Sequence, residues 1–142
     1  MLYSQYFEVY PNVITPATRA INQNQNRDGV YDAMYQYDSM YYIEAISAFN
    51  SLLKYSDLQN EILFYKGMAL MSNGNYQSAK IQFQLMDPDY GSFINQRKWY
   101  LALVSLQLNE LEYTEQLLNE IITDESSFST NAKKLLNELS AK

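Results

Sequence analysis

The sequence contains no cysteine and no histidine. Those absences remove the two side chains that most readily act as nucleophile, proton shuttle or transition-metal ligand near neutral pH. An enzyme built from this chain would depend on carboxylates, tyrosine or lysine alone. No disulfide is possible, so cysteine usage favours neither an oxidising nor a reducing compartment. Proline and glycine are scarce, at three and four residues among 142, which leaves few places where a helix must break. Long hydrophobic runs are missing as well. No stretch approaches the roughly 20 apolar residues of a spanning helix, and no charged-then-apolar leader opens the chain. The reading is either a chain soluble throughout or one whose anchor lies upstream of Met1. Positive charge is also thin: ten Lys and Arg stand against sixteen Asp and Glu, a formal net charge of −6. The basic residues are scattered, and affinity for nucleic acid rests on clustered cations that release counterions. A nucleic-acid partner is therefore not expected.

What is present is apolar residue content of 47%, enough for a chain of this length to bury a continuous core. After about position 30 these residues fall at helical rather than alternating spacing, which predicts an all-α fold. The stretch Gly67 to Phe83, GMALMSNGNYQSAKIQF, occurs in altered form twice more. Small residues fall at Ala33, Gly67 and Ala102, then at Ala45, Ala79 and Thr114, and a large apolar residue follows at Phe49, Phe83 and Leu118. The spacing is 34 and then 35 residues at each landmark. A fixed period in this range predicts stacked helical pairs. A small residue on the first helix admits a close neighbour. After a polar turn, the second helix carries a small residue one turn before a large plug on the same face. In the middle repeat, Gly74 suits the positive φ that ends a helix and Asn75 suits a cap. Asn109 is the expected cap in the third repeat. The first turn, Asp38-Ser39-Met40, has no glycine.

This register resembles the tetratricopeptide repeat (TPR). The resemblance covers about Asp28 to Ser126 as three helix-turn-helix repeats, and an amphipathic helix near Ser127 to Leu139 would cap the stack. It implies an α-α superhelix of about three repeats plus a C-terminal capping helix. The domain division expected is 1–27, an aromatic leader and polar linker, and 28–142, the helical repeat domain. The chain departs from the family pattern in having Thr114 where alanine is usual, Leu63 and Lys98 where an aromatic is usual, and no proline at the ends of the repeats.

In the leader, MLYSQYFEVYP predicts a turn or two of helix with Tyr3, Tyr6, Phe7 and Tyr10 as its apolar side. Pro11 and Pro16 bracket an extended passage, and INQNQN reads as a linker. Four large apolar side chains in ten residues favour docking on the repeats over exposure to water. The passage LYSQYFEVYPNVITPATR, together with WYLALVSLQLNE and AKKLLNEL, also resembles membrane-anchored TPR proteins of some Gram-negative bacteria. That likeness implies a spanning helix upstream and a repeat domain on the periplasmic face, with a cytoplasmic location as the alternative.

The family resemblance further implies that the first helix of each pair lines a concave groove. Carried over by register, the groove residues are Met34 and Tyr37 from the first repeat, Phe64, Met68 and Met71 from the second, and Trp99 and Leu103 from the third. Arg27 is the only cation on that line, so the basic clamp with which some TPR domains hold carboxylate tails is missing. Thioethers and flat rings suit an apolar or amphipathic protein segment. Three readings of these residues stand side by side: an open groove for a partner, a groove covered by the leader, or plain core.

Other motifs point elsewhere. Asn24 to Gly29 begins like a calcium loop, but Tyr35 occupies the position of the required bidentate glutamate. Asp87-Pro88-Asp89-Tyr90-Gly91 reads as a turn in which Asp89 or Ser92 caps the next helix. Glu110, Glu112, Glu115 and Glu120 read as a solvated helix face. No phosphate-cradling glycine loop or nucleophile elbow occurs. The expectation is a non-enzymatic scaffold module that binds a protein or peptide segment, with no cofactor, no metal and no small-molecule substrate. The alternative is a structural homo-oligomerisation unit, and a carboxylate-dependent hydrolase is a distant third.

Overall fold

The computed structural model describes residues 1–14, 27–54 and 58–141, and the side chains of Arg27 and Asp28 lie outside that description. The INQNQN linker and the opening positions of the calcium-like loop also fall outside it. The described residues form helices and no strand, in the order α1 Leu2–Tyr6, α2 Arg27–Asp38, α3 Tyr42–Leu52, α4 Gln59–Ser72, α5 Tyr76–Leu85, α6 Ile94–Gln107, α7 Leu111–Thr123 and α8 Ser129–Ser140. The fold is all-α, as the helical spacing of apolar residues requires.

The chain divides into two compact units. One holds Val9–Met86 and the other holds Met1–Glu8 together with Asp87–Lys142. In the first, α2 packs on α3, α3 on α4 and α4 on α5; in the second, α6 packs on α7, α7 on α8 and α1 on α6.

The 34- and 35-residue period is written into the backbone of the turns. Met40, Gly74 and Asn109 each adopt a left-handed conformation, with φ of 64°, 81° and 62°. In each case the residue after it donates its amide back five residues: Tyr41 to Gln36, Asn75 to Leu70 and Glu110 to Ser105, at 2.9, 2.8 and 2.9 Å. The left-handed residue itself bonds back three, to Tyr37, Met71 and Leu106. This is the Schellman termination, which satisfies carbonyls left over at a helix end. The following helix then opens the same way each time, as Ala45, Ala79 and Thr114 donate to Tyr41, Asn75 and Glu110. The sequence expectation for Asn109 is corrected here. Asn109 ends α6 in the left-handed region, which asparagine tolerates well, and Glu110 occupies the cap position of α7 without a side-chain cap bond. Asn75 holds its expected cap position, also without such a bond.

Two further boundaries differ from expectation. Neither Asp89 nor Ser92 caps α6; Phe93 precedes it with φ 65°. The carboxylate of Asp87 instead accepts the amides of Asp89 and Tyr90 at 2.9 and 3.0 Å. Those two bonds hold its pKa below the usual carboxylate range. The last helix starts at Ser129 rather than near Ser127.

The small landmarks lie inside the packed helices. Ala33, Ala102, Ala45, Ala79 and Thr114 are fully buried, as are the plugs Phe49, Phe83 and Leu118. A Cβ on Gly67 would sit 2.5 Å from the Phe83 ring, so α4 and α5 meet at a distance only glycine permits. Thr114 fills a position where alanine suffices because its hydroxyl donates to the Glu110 carbonyl at 2.9 Å, which satisfies a buried polar group locally.

Candidate interaction site

Two helices are buried nearly all round. Within α4, Ile62 to Tyr65 and Gly67 to Met71 are buried, and so are Trp99 to Ser105 of α6. A helix with no polar face has neighbours on every side. For α4 these include α3 and α5, and part of its remaining surface is covered by residues that precede the repeats.

In the unit formed by Val9–Met86, residues 10–14 lie along α2 and α4. The Tyr10 ring meets Phe64 edge-on, with centroids 5.3 Å apart. The Tyr37 hydroxyl donates to the Tyr10 carbonyl. The Tyr65 hydroxyl donates to the Pro11 carbonyl at 2.8 Å and accepts the Val13 amide at 3.1 Å. Asn12 donates from Nδ2 to the Asp38 carboxylate at 3.0 Å, and its Oδ1 accepts the Ile14 amide at 2.8 Å. Ile14 is buried. Tyr37 and Tyr65 also meet edge-on, with centroids 5.0 Å apart. Burial is the main force raising the Tyr65 pKa, so this hydroxyl stays protonated and able to donate throughout the ordinary pH range.

In the other unit, α1 rests on α6. Tyr6 meets Trp99 edge-on at 6.2 Å, and Phe7 meets Tyr100 edge-on at 6.3 Å. Tyr3 stacks on Phe7 at 5.3 Å. The Tyr100 hydroxyl donates to the Glu8 carbonyl at 2.6 Å, and the Tyr6 hydroxyl donates to Glu138 Oε1 of α8 at 2.6 Å. Burial first, then the bond to Glu138 and its negative charge, push the Tyr6 pKa up to about 12. Trp99 is further stacked on Phe128, with centroids 5.7 Å apart.

All seven residues predicted to line the groove are therefore buried: Met34, Tyr37, Phe64, Met68, Met71, Trp99 and Leu103 are at most 3% exposed. Tyr37 and Phe64 are brought together under residues 10–14, and Trp99 lies under Tyr6. Met34, Met68, Met71 and Leu103 belong to the core. The leader aromatics Tyr3, Tyr6, Phe7 and Tyr10 all pack against other rings.

Sequence reasoning missed Tyr65 and Tyr100, whose hydroxyls hold the leader backbone. A signal was present, since Tyr31, Tyr65 and Tyr100 recur at the same 34- and 35-residue spacing. Several cavities open in the unit that contains α6. One of about 490 Å3 is lined by apolar residues including Leu2, Leu106, Leu111 and Leu139. Another, of about 290 Å3, is lined by Gln5, Tyr6, Glu8, Asn131 and Lys134 beside Trp99 and Phe128. Among the described residues no group of three or more acidic side chains is placed to hold a metal ion, and no helix is long and apolar enough to cross a membrane. Comparison with protein-family models, curated proteins and solved structures gave no match.

Proposed function

We propose that this chain is a non-enzymatic interaction module, built of tetratricopeptide-like hairpins with a capping helix, that receives an apolar or amphipathic protein segment on α2 and α4. The observation that carries this reading is the seat of residues 10–14. A non-helical stretch of chain lies on α2 and α4 and is held by ring packing and by tyrosine hydroxyls bonded to its backbone. A surface that accepts one such segment has the chemistry to accept another. The resemblance to envelope TPR proteins supports a place in a larger bacterial membrane-anchored protein, facing the periplasm.

The test is selection of peptides from a random displayed library on the full chain, followed by titration of the selected peptides. Saturable binding of apolar or amphipathic peptides is expected. It should weaken at least about tenfold in Phe64→Ala, a change of about 1.4 kcal/mol or more. Truncating a buried phenylalanine costs about 3–5 kcal/mol of stability, so Tyr37→Phe, which keeps the ring and deletes the donor, is measured beside it. Selection of no peptide, or binding indifferent to both substitutions, would count against the reading.

A second reading, homo-oligomerisation, is favoured by one observation. Tyr35, Met40, Tyr41 and Ile43 are 56–73% exposed around a single hairpin, and clustered exposed apolar side chains mark association surfaces. Sedimentation at rising concentration tests it, and a monomer that persists to high concentration would remove it.

A further inference from the structure

We infer that the face formed by Tyr37, Phe64 and Tyr65 recognises a partner segment of one chemical type: non-helical chain carrying aromatic–proline–asparagine–any residue–aliphatic. Residues Tyr10 to Ile14 are its resident stand-in. The inference rests on the module reading above and narrows it to a ligand class at one site.

The specificity is written in what each position of the stand-in does. Three bonds go to backbone atoms alone: the carbonyls of Tyr10 and Pro11 and the amide of Val13. Backbone bonds select a path of the chain and not a side chain. Proline at the second position restricts the residue before it to extended geometry, so the Tyr10 carbonyl that meets the Tyr37 hydroxyl is arranged before binding. Side chains are read at three positions. The first needs a ring to meet Phe64 edge-on. The third needs a donor to reach the Asp38 carboxylate, and its own acceptor closes a turn onto the fifth residue. The fifth is an aliphatic anchor, since Ile14 is only 8% exposed. The fourth is open, since Val13 is 46% exposed.

The stand-in also has the character of a strap and not of a core element. Pro11 and Val13 are exposed, and Tyr10 and Asn12 are half-buried. It is attached by hydrogen bonds that each contribute about 0.5–1.5 kcal/mol net, by the Tyr10 ring and by Ile14. A segment held this way exchanges with a competitor of the same pattern. Its advantage is its tether, which presents it at an effective concentration in the millimolar range.

The probe is a labelled synthetic peptide, Val-Tyr-Pro-Asn-Val-Ile-Thr, titrated by fluorescence anisotropy against the full chain and against full-length Tyr10→Ser/Ile14→Ser. The doubly substituted chain should bind at least about tenfold more tightly, because its tethered competitor is disabled. Adding Tyr65→Phe in that background should weaken binding at least about tenfold, the effect of losing bonds to two backbone groups. Alanine at the fourth peptide position of the pattern should be tolerated, and alanine at the first or fifth should not. Circular dichroism checks that each chain remains helical, and Tyr10→Ser alone replaces the double variant if the latter does not. Equal titration of both chains, or equal binding of a scrambled peptide, overturns the inference. If library peptides of another pattern bind while this peptide does not, the ligand class falls and the module reading stands. If no peptide binds either chain, both fall.

Discussion

At Gly67 a methyl group has nowhere to go. Alanine is ordinarily worth up to about 1 kcal/mol over glycine inside a helix, but here its Cβ would lie 2.5 Å from Phe83 Cε1. Phe83 is fully buried and meets Phe64 at 6.0 Å, so its ring has no free space to enter. Overpacking of this kind costs about 1–3 kcal/mol. Gly67→Ala should therefore lower the midpoint of chemical denaturation, and Phe83→Leu in the same chain should recover part of the loss by freeing the ring edge. A second prediction concerns Tyr6. Its pKa rises from 10.0 to about 12 on folding, so the unfolded chain loses this proton first. The stabilisation is complete below pH 10 and disappears as pH climbs toward 12. Thermal melts between pH 8 and 12 should show this loss, and Tyr6→Phe should make the decline over that window shallower. An unchanged slope in Tyr6→Phe would mean that burial and the bond to Glu138 do not hold this proton on folding.

The helix ends carry the third prediction. Met40, Gly74 and Asn109 hold equivalent left-handed posts, yet only one is glycine. A side chain in that region costs about 1–2 kcal/mol, least for asparagine. Met40 is 73% exposed, so replacing it forfeits little packing. Met40→Gly should raise stability by about 0.5–1 kcal/mol, and Gly74→Ala should lower it by about 1 kcal/mol. Opposite signs at equivalent posts, read from denaturation midpoints, are what the backbone requires. This scale also explains what the sequence made legible. The hairpins were readable because small and large residues recur at 34 and 35 residues, and a core must repeat where packing repeats. The turn at Met40 was harder to read because nothing in Asp38-Ser39-Met40 advertises a positive φ. The caps at Asn109, Asp89 and Ser92 were misplaced because a residue type suited to capping is equally suited to a left-handed post or an exposed loop.

Across the whole molecule, burial predicts an order of protection. In hydrogen exchange, the amides of α4 and α6 should be the slowest of their respective units, since these helices are covered on most sides. The Val13 amide should exchange far more slowly than a non-helical, surface-lying residue normally does, because Tyr65 holds it. Tyr65→Phe should accelerate it at least about tenfold, equivalent to about 1.4 kcal/mol. Rapid exchange at Val13 in the unsubstituted chain would mean that the strap is not seated in solution. That Tyr10 and Phe7 would pack on rings could be argued from their apolarity alone. The identity of the hydroxyls that meet the backbone could not, because sequence spacing says which residues are equivalent and not which chain atoms lie within reach.

The seat of the leader has a consequence for how the chain is made. Tyr6 bonds to Glu138 across 132 residues, and Tyr100 bonds to Glu8 across 92. The hairpins close between neighbours, but the aromatic leader leaves the ribosome before any of the surface it rests on exists. At about 5–20 residues per second, Glu138 follows Tyr6 by about 7–26 seconds of synthesis, whereas Phe64 follows Tyr10 by about 3–11 seconds. Until those partners emerge, Tyr6, Phe7 and Tyr10 form an apolar flag on the nascent chain. It is open to chaperones and to neighbouring polysomes, and it is withdrawn in two steps, Tyr10 onto α4 first and α1 onto α6 later.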